Sequence, residues 1–467
     1  MSAASRRTAM DAAGTTTGFT PTTGSTTRLL GRTLGAAALA ASLLLAPASR
    51  AFGPTVTFGP TAAAAQTVVI TNARIYPVAG SMIERGSVLI RDGRIAAVGP
   101  DVQVPQGARV IDGSGKVVTP GLLDSNSQIG LVEIGAYPNT NDTRTADDRI
   151  TAAFDPADGL NPRSTVIPVT RIEGITRAIV APSAAGSIIA GQGLLIDLAP
   201  GSAKDMVEKD PVAMFAVLGE GGSARVGGTR GAASLRLREI LEDARDYAAN
   251  TTAYQRNQRR DYSVSRLDLE ALVPVVQGKL PLAIQANRAS DIRTAIRLSR
   301  KYDFKLILVG AAEGWLVADE IARAGVPVIM DPMTDIPQFA DLAATLENAG
   351  RMSRAGVDVI FASFTAHNAR NLKQEAGNAV ANGMPFDAAL RAVTLAPAKL
   401  WGIDDRYGSL EPGKDADVVV WDGDPFDVLT NVEHVFIKGR EVPITSRQLE
   451  LAKRYMHRSG DWPAAYI

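Results

Sequence analysis

Hydrophobic and polar positions divide the chain into three patterns. From Thr67 to about Val118, short stretches alternate apolar and polar residues, as in VVITNARIYP, SVLIRDGRIAAVG and ARVIDGSGKVV. Such alternation marks strands with one buried face. Asp92-Gly93 and Asp112-Gly113 supply turns, because glycine tolerates the positive φ that tight turns require. From about Thr119 to Ile403 the apolar runs become continuous and alternate with helical stretches: LAIQAN (282–287), a helix over 289–302, LILVG (306–310), a helix over 313–324, VPVIM (326–330), a helix over 336–350 and VDVIFAS (357–363). Strands covered by helices read as unbroken apolar runs, so this region is predicted to be an α/β barrel of the (β/α)8 TIM type.

Two long insertions interrupt the barrel pattern, at about 130–170 and 200–265. The second carries LRLREILEDARDYAANTTAYQRNQRRDY, which reads as a solvated helix, with a lid or an oligomer contact as the alternative. Gly191-Gln192-Gly193 reads as a turn, without the strand-to-helix setting of a phosphate cradle, and Gly221-Gly222 and Gly227-Gly228, within the second insertion, read as loop. Beyond the barrel, Gly408 to Asp417 leads into VVVW (418–421) and later VFIKGREV (435–442). The two flanking ends, 66–118 and 404–445, are expected to join as a small β-sandwich around the barrel of 119–403. Residues 446–467 form a tail.

Composition adds a compartment. Residues 34–46 (LGAAALAASLLLA) form an apolar run of 13, too short to span a bilayer as a helix. Arg28 and Arg32 precede it and small residues follow at Ala48-Ser49-Arg50-Ala51, the layout of a secretory signal peptide with an extended leader over 1–65. Export, with a periplasmic destination, is the expectation. Without that leader 44 Lys/Arg stand against 48 Asp/Glu, a balance that points to neither nucleic acid nor a membrane surface, and no membrane span is expected in the mature form. The chain has no cysteine and three histidines, His367, His434 and His457.

Pro120-Gly121-Leu122-Leu123-Asp124-Ser125-Asn126-Ser127-Gln128 resembles the first barrel strand of the amidohydrolase superfamily, which reads Pro-Gly-Leu-Ile-Asp-x-His-x-His. Gln285-Ala286-Asn287-Arg288-Ala289-Ser290-Asp291-Ile292 stands where the imidazolonepropionase-like members carry His-x-His-Arg-x-x-Asp-Ile. Val309-Gly310-Ala311-Ala312-Glu313-Gly314 stands where they carry Glu-His-Gly-x-Glu-Gly, and Phe364-Thr365 where a catalytic aspartate is expected. The resemblance implies a barrel hydrolase of non-peptide C–N bonds in cyclic or linear amides, with zinc or another divalent metal as the family's usual cofactor.

At the metal positions this chain differs. Strand residues two apart share a face, which lets His-x-His direct two imidazoles at one metal. Asn126, Gln128, Gln285 and Asn287 are carboxamides, which exchange hydrogen bonds but bind zinc poorly. No cofactor is therefore expected, and the mouth of the barrel is expected to be polar and neutral. Two accounts fit: a carboxamide network that fills the volume of a lost metal centre, or a pocket for a small polar ligand lined by Asn126, Gln128, Gln285, Asn287, Gly310 and Thr365. Residual catalysis would fall to His367 with Glu313 and Arg288, and an acid/base pair supplies about 10²- to 10⁴-fold. Three functions remain open: a non-catalytic homologue binding a ligand or a catalytically intact amidohydrolase partner, a hydrolase with an atypical or metal-independent site, and an inert structural component.

Overall fold

The structure, a computed structural model, describes residues 67–456. The apolar run at 34–46 and His457 lie outside these residues. Strands β1 (Val68–Ile75), β2 (Ile83–Arg91), β3 (Arg94–Gly99), β4 (Arg109–Asp112) and β5 (Val117–Pro120) come first. Eight barrel strands follow: β6 (Leu122–Ser127), β7 (Ile175–Val180), β8 (Ile189–Asp197), β9 (Val207–Val217), β10 (Leu282–Ala286), β11 (Leu306–Gly310), β12 (Val328–Met330) and β13 (Val359–Phe361). The chain then returns with β14 (Val418–Trp421), β15 (Val432–Ile437) and β16 (Arg440–Val442).

The barrel strands form one eight-stranded sheet in sequence order from β6 to β13. Closure of β13 onto β6 is nearly complete: Phe364 N donates to Asn126 O at 2.8 Å, and Gln128 N to Thr365 O at 3.3 Å. One strand departs from the expected (β/α)8 repeat. β8 pairs antiparallel with both β7 and β9, whereas the other neighbours pair in parallel. The reason is local, since β7 and β8 are joined by a loop of eight residues with no helix, too short for a parallel crossover. Gly191 and Gly193 accordingly sit inside β8, and a Cβ on either would meet Phe154 or Phe215. The expected insertion at 200–265 contains β9, a full barrel strand.

Inside the barrel Leu123, Ile179, Leu195, Phe215, Ile307, Ile329 and Ile360 are buried together, with the Trp401 indole among them. Outside, helices cover the strands. The helix Ala289–Tyr302 buries Ile292, Ala295, Ile296 and Leu298, an apolar stripe at helical spacing, and carries Asp291 in its first turn and Arg300 and Lys301 in its last, complementing the helix dipole. The helix Arg230–Gln255 is not the solvated element its charge suggests. Ala233, Leu237, Ile240, Leu241, Ala244 and Tyr247 recur every three to four residues and pack into the main core. The region 313–324 folds as a 3-10 turn, Gly314–Val317, leading into the helix Ala318–Ala324.

The helix expected over 336–350 forms only as Asn348–Arg354. Asp331 Oδ1 accepts from the backbone N–H of Met333 at 2.9 Å and of Thr334 at 3.2 Å, holding the chain in a turn, and Pro332 and Pro337 disfavour the α region for the residue before each. Residues 331–347 therefore form an irregular loop over the barrel mouth, with Phe339 98% exposed.

The chain ends combine in one continuous sheet ordered β16-β15-β14-β5-β1-β2-β3, with β4 also pairing β1. It is folded over itself rather than split into two separate sheets. Ile95 of β3 and Phe436 of β15 share one core, and Ile95 N donates to Lys414 O at 2.9 Å. A buried ion network ties this sheet to the barrel. Arg177 of β7 grips Glu208 of β9 bidentately at 3.2 and 3.1 Å, pairs with Asp417 just before β14, and lies over the Tyr407 ring. Lys438 extends the network to Asp197 at 2.5 Å and Glu208 at 2.7 Å.

Candidate functional site

The mouth of the barrel lies where strands β6, β9, β10, β11, β12 and β13 end, and the positions expected to line it are spread around that rim. Asn126 is partly buried and its carbonyl helps close the barrel. Gln128 donates its amide to Ser183 Oγ at 2.9 Å, so it serves the loop between β7 and β8. Thr365 accepts the Gln128 N–H through its carbonyl and the Asn368 N–H through its hydroxyl. Gln285 is exposed at the end of β10.

Asn287 and Gly310 are tightly matched. Asn287 Oδ1 lies over Gly310 so closely that a Cβ at 310 would overlap it, and Gly310 has φ +84°, the region that favours glycine. The carboxamide thus fills the space a side chain at 310 would take. Its Oδ1 is buried yet accepts no hydrogen bond. Beside it a small cavity of about 60 Å³ is bounded by Glu220, Arg230, Gln285, Asn287, Arg288 and Asp291. Two non-glycine residues of the same rim, Ala311 (φ 53°) and Phe364 (φ 55°), hold left-handed backbone. Such strain concentrates at functional sites.

Arg288 and Glu313 are neighbours through the turn that follows β10. Arg288 Nε donates to Ala340 O at 3.1 Å. Both Glu313 oxygens are engaged by backbone, Oε2 by Ala289 N at 3.0 Å and Oε1 by Ala343 N at 3.2 Å, which anchors the helix start and the 331–347 loop. His367 stands three strands round the barrel, exposed on the loop after β13, and no hydrogen bond joins it to Arg288 or Glu313. His434 pairs with Glu441 at 2.6 Å in the chain-end sheet.

The expected neutral mouth is corrected by four carboxylic acids, Asp124, Asp331, Asp335 and Glu375, of which only Asp124 falls within a family motif. Asp124 is fully buried, accepts from Ser363 N at 3.1 Å and Asn126 N at 3.2 Å, and also takes the Ser363 hydroxyl. Burial pushes its carboxyl up to about 7, against the pull of those hydrogen bonds. Glu375, on the helix Leu372–Ala381, accepts from Met333 N at 3.1 Å and shares a hydrogen bond with Asp331. Burial first, and then Asp331, raises it well above the usual carboxylate range, so the two acids hold a proton between them. Asp335 accepts from Asn348 at 2.7 Å and is raised by burial to about 7. Asp124 and Asp331 follow apolar strand residues, a signal visible in the sequence. Glu375 gives none, since an acid on a helix is ordinary.

These donors do not fit the binuclear metal centre usual for this type of barrel. Gln128 is committed to Ser183, Asn287 is folded over Gly310, Glu313 is taken by backbone, and no group of three His, Cys, Asp or Glu residues among the described ones could hold a metal ion.

Residues 310–442 match the model of the amidohydrolase family. The chain is 27% identical over 388 residues to amidohydrolase tasK of Hapsidospora irregularis, covering 76% of this chain and 39% of that protein. It thus spans well under half of that relative's length. It is 26% identical over 390 residues to a 5-methylthioadenosine/S-adenosylhomocysteine deaminase of Desulforudis audaxviator (strain MP104C), covering 76% of this chain and 84% of the other. Among solved structures, an amidohydrolase from Thermotoga maritima MSB8 superposes with a TM-score of 0.73 at 29% identity, covering 81% of this chain and all of that one. The amidohydrolase superfamily is supported for this chain by the family match across the last barrel strands and the returning sheet, and by the superposition on the Thermotoga maritima structure.

Proposed function

We propose that this chain is an imidazolonepropionase-like amidohydrolase homologue whose barrel mouth binds the polar head of a small ligand without metal-assisted hydrolysis. One observation carries the reading: Asn287, whose buried Oδ1 has no hydrogen-bond partner, lines a small cavity together with Arg288. A buried acceptor left unpaired costs about 1–3 kcal/mol, which a ligand N–H would recover. Arg288 supplies a donor and Glu220 an acceptor on the same wall, a set suited to an amide, urea or amidine head group.

The test has two arms. Elemental analysis of protein expressed with zinc, manganese and iron available should find far less than one metal per chain, and a panel of cyclic and linear amides should show no turnover. Stoichiometric metal with turnover overturns the proposal. Calorimetric titration with the same amides and ureas should give a binder that Asn287→Leu abolishes.

A second reading rests on the carboxyl group of Glu375, raised by burial and by its hydrogen bond to Asp331, with Asp124 nearby. A proton-sharing acid pair is a source of acid/base hydrolysis without metal. It predicts slow amide turnover that Asp331→Asn removes. Export to the periplasm rests on the apolar run at 34–46 and is tested by cell fractionation. A catalytically intact amidohydrolase as partner is tested by co-purification of the full chain.

A further inference from the structure

The opposite end of the barrel carries a second recess. At the N-terminal ends of β9 to β12 a cavity of about 490 Å³ opens beneath the sheet, lined by Lys209, Lys279, Lys305 and Lys399 and, on its apolar wall, by Pro281 and Pro327. That volume lies within the range of small-molecule sites.

Its charge is not a product of composition. The chain has only eleven lysines, and four of them come to this one recess from four separate elements. Lys209 is on β9, Lys279 follows the helix Arg266–Val276, Lys305 immediately precedes β11, and Lys399 is near the end of the helix Leu395–Leu400. Of the seven lysines elsewhere, Lys116, Lys373, Lys414 and Lys438 each pair with a carboxylate. None of the four in the recess forms an ion pair among the described residues. Lys209 Nζ donates to the Trp401 backbone carbonyl at 2.9 Å, which fixes one ammonium at the wall of the recess. No acidic residue lines the cavity. Four like charges round one hollow repel each other, and an anion between them relieves that repulsion.

We infer that this recess is a binding site for a small organic polyanion, with phosphate or carboxylate groups on an aromatic or acyl body. The ammonium groups take the anionic groups as point charges, and the partly exposed Pro281, Pro327 and Leu400 bed the apolar part. The site is distinct from the barrel mouth and does not depend on what the mouth binds.

The experiment is isothermal titration of the full chain with benzene-1,3,5-tricarboxylate and with inorganic tripolyphosphate, in low salt and in 0.5 M salt. Both should bind, the tricarboxylate more tightly because of its ring. Affinity should fall at least about tenfold in high salt, where screening is strong, and at least about tenfold in Lys279→Gln/Lys305→Gln. Both lysines are exposed, so the variant should melt like the parent, and Asn287→Leu at the mouth should leave binding unchanged. Absence of binding by both anions, or binding that survives the double substitution, overturns the inference.

Discussion

Replacing Arg177 with methionine tests whether the buried ion network holds the sheet to the barrel. The guanidinium is 1% exposed and serves two carboxylates, Asp417 and Glu208, that are themselves buried. Removing one partner of a buried pair costs about 3–5 kcal/mol, because the charge left behind is neither solvated nor neutralised. Lys438 compensates Glu208 in part, at 2.7 Å, but Asp417 keeps only the backbone N–H of Lys438. For the roughly 390 described residues, unfolding entropy near 2.1 cal/mol/K per residue converts about 4 kcal/mol into a fall in Tm of about 5 °C. Scanning calorimetry of Arg177→Met should show that drop, and Arg177→Met/Glu208→Gln/Asp417→Asn should recover much of it, since neutral partners need no counter-charge. Acid titration adds a second readout. Burial alone would raise Glu208, yet Arg177 and Lys438 bring it down to about 2. A depressed carboxylate contributes stability that is present above its unfolded pKa near 4.5 and is lost as pH falls toward 2. That acid limb should shrink in Arg177→Met. A change in Tm below about 1 °C refutes the argument.

Three further outcomes are expected. Gly310→Ala should destabilise by about 2–4 kcal/mol in urea melts, combining the cost of left-handed backbone with overlap on Asn287, and Asn287→Ala should relieve only the overlap. Asp335 and Asp124 are raised by burial to about 7, so each favours folding below its unfolded pKa near 3.8 and loses that contribution as pH rises to about 7. Asp335→Asn should therefore gain on the parent at pH 8 and match it at pH 4 in denaturant midpoints; equal midpoints at both refute the burial assignment. Dialysis against a strong chelator should leave the Tm within about 1 °C, and a larger fall would reveal a structural metal.

Much of the barrel was legible because its strands are short, largely apolar runs: β11 begins and ends where its run does, and β10 stops one residue short of it. β8 was not, since antiparallel and parallel strands buried on both faces share one hydropathy pattern, and Gly191-Gln192-Gly193 mimics a turn. Residues 336–350 read as a helix between two apolar runs, while the Asp331 turn that leads the chain into an irregular loop instead depends on a side chain capturing two backbone N–H groups. At the site, the carboxamides announced a changed mouth through motif comparison. Glu375 could not be seen in that way, because only the fold brings its helix against Asp331. The fit of Asn287 over Gly310 is likewise a matter of three-dimensional proximity between residues whose sequence changes each look isolated.

The sheet made from both chain ends has a temporal consequence. Val117 to Pro120 pair with Trp421 to Val418, and the Trp421 indole donates to Thr119 Oγ1 across 302 positions of sequence. A ribosome adding about 5–20 residues per second needs roughly 15–60 s to travel that distance. Throughout that interval the edge of β5 faces water without its mate, an invitation to pair with another nascent chain. The last strands therefore act as a seal of completeness: a copy that stops before residue 418 keeps an open, adhesive edge, and only a finished chain hides it.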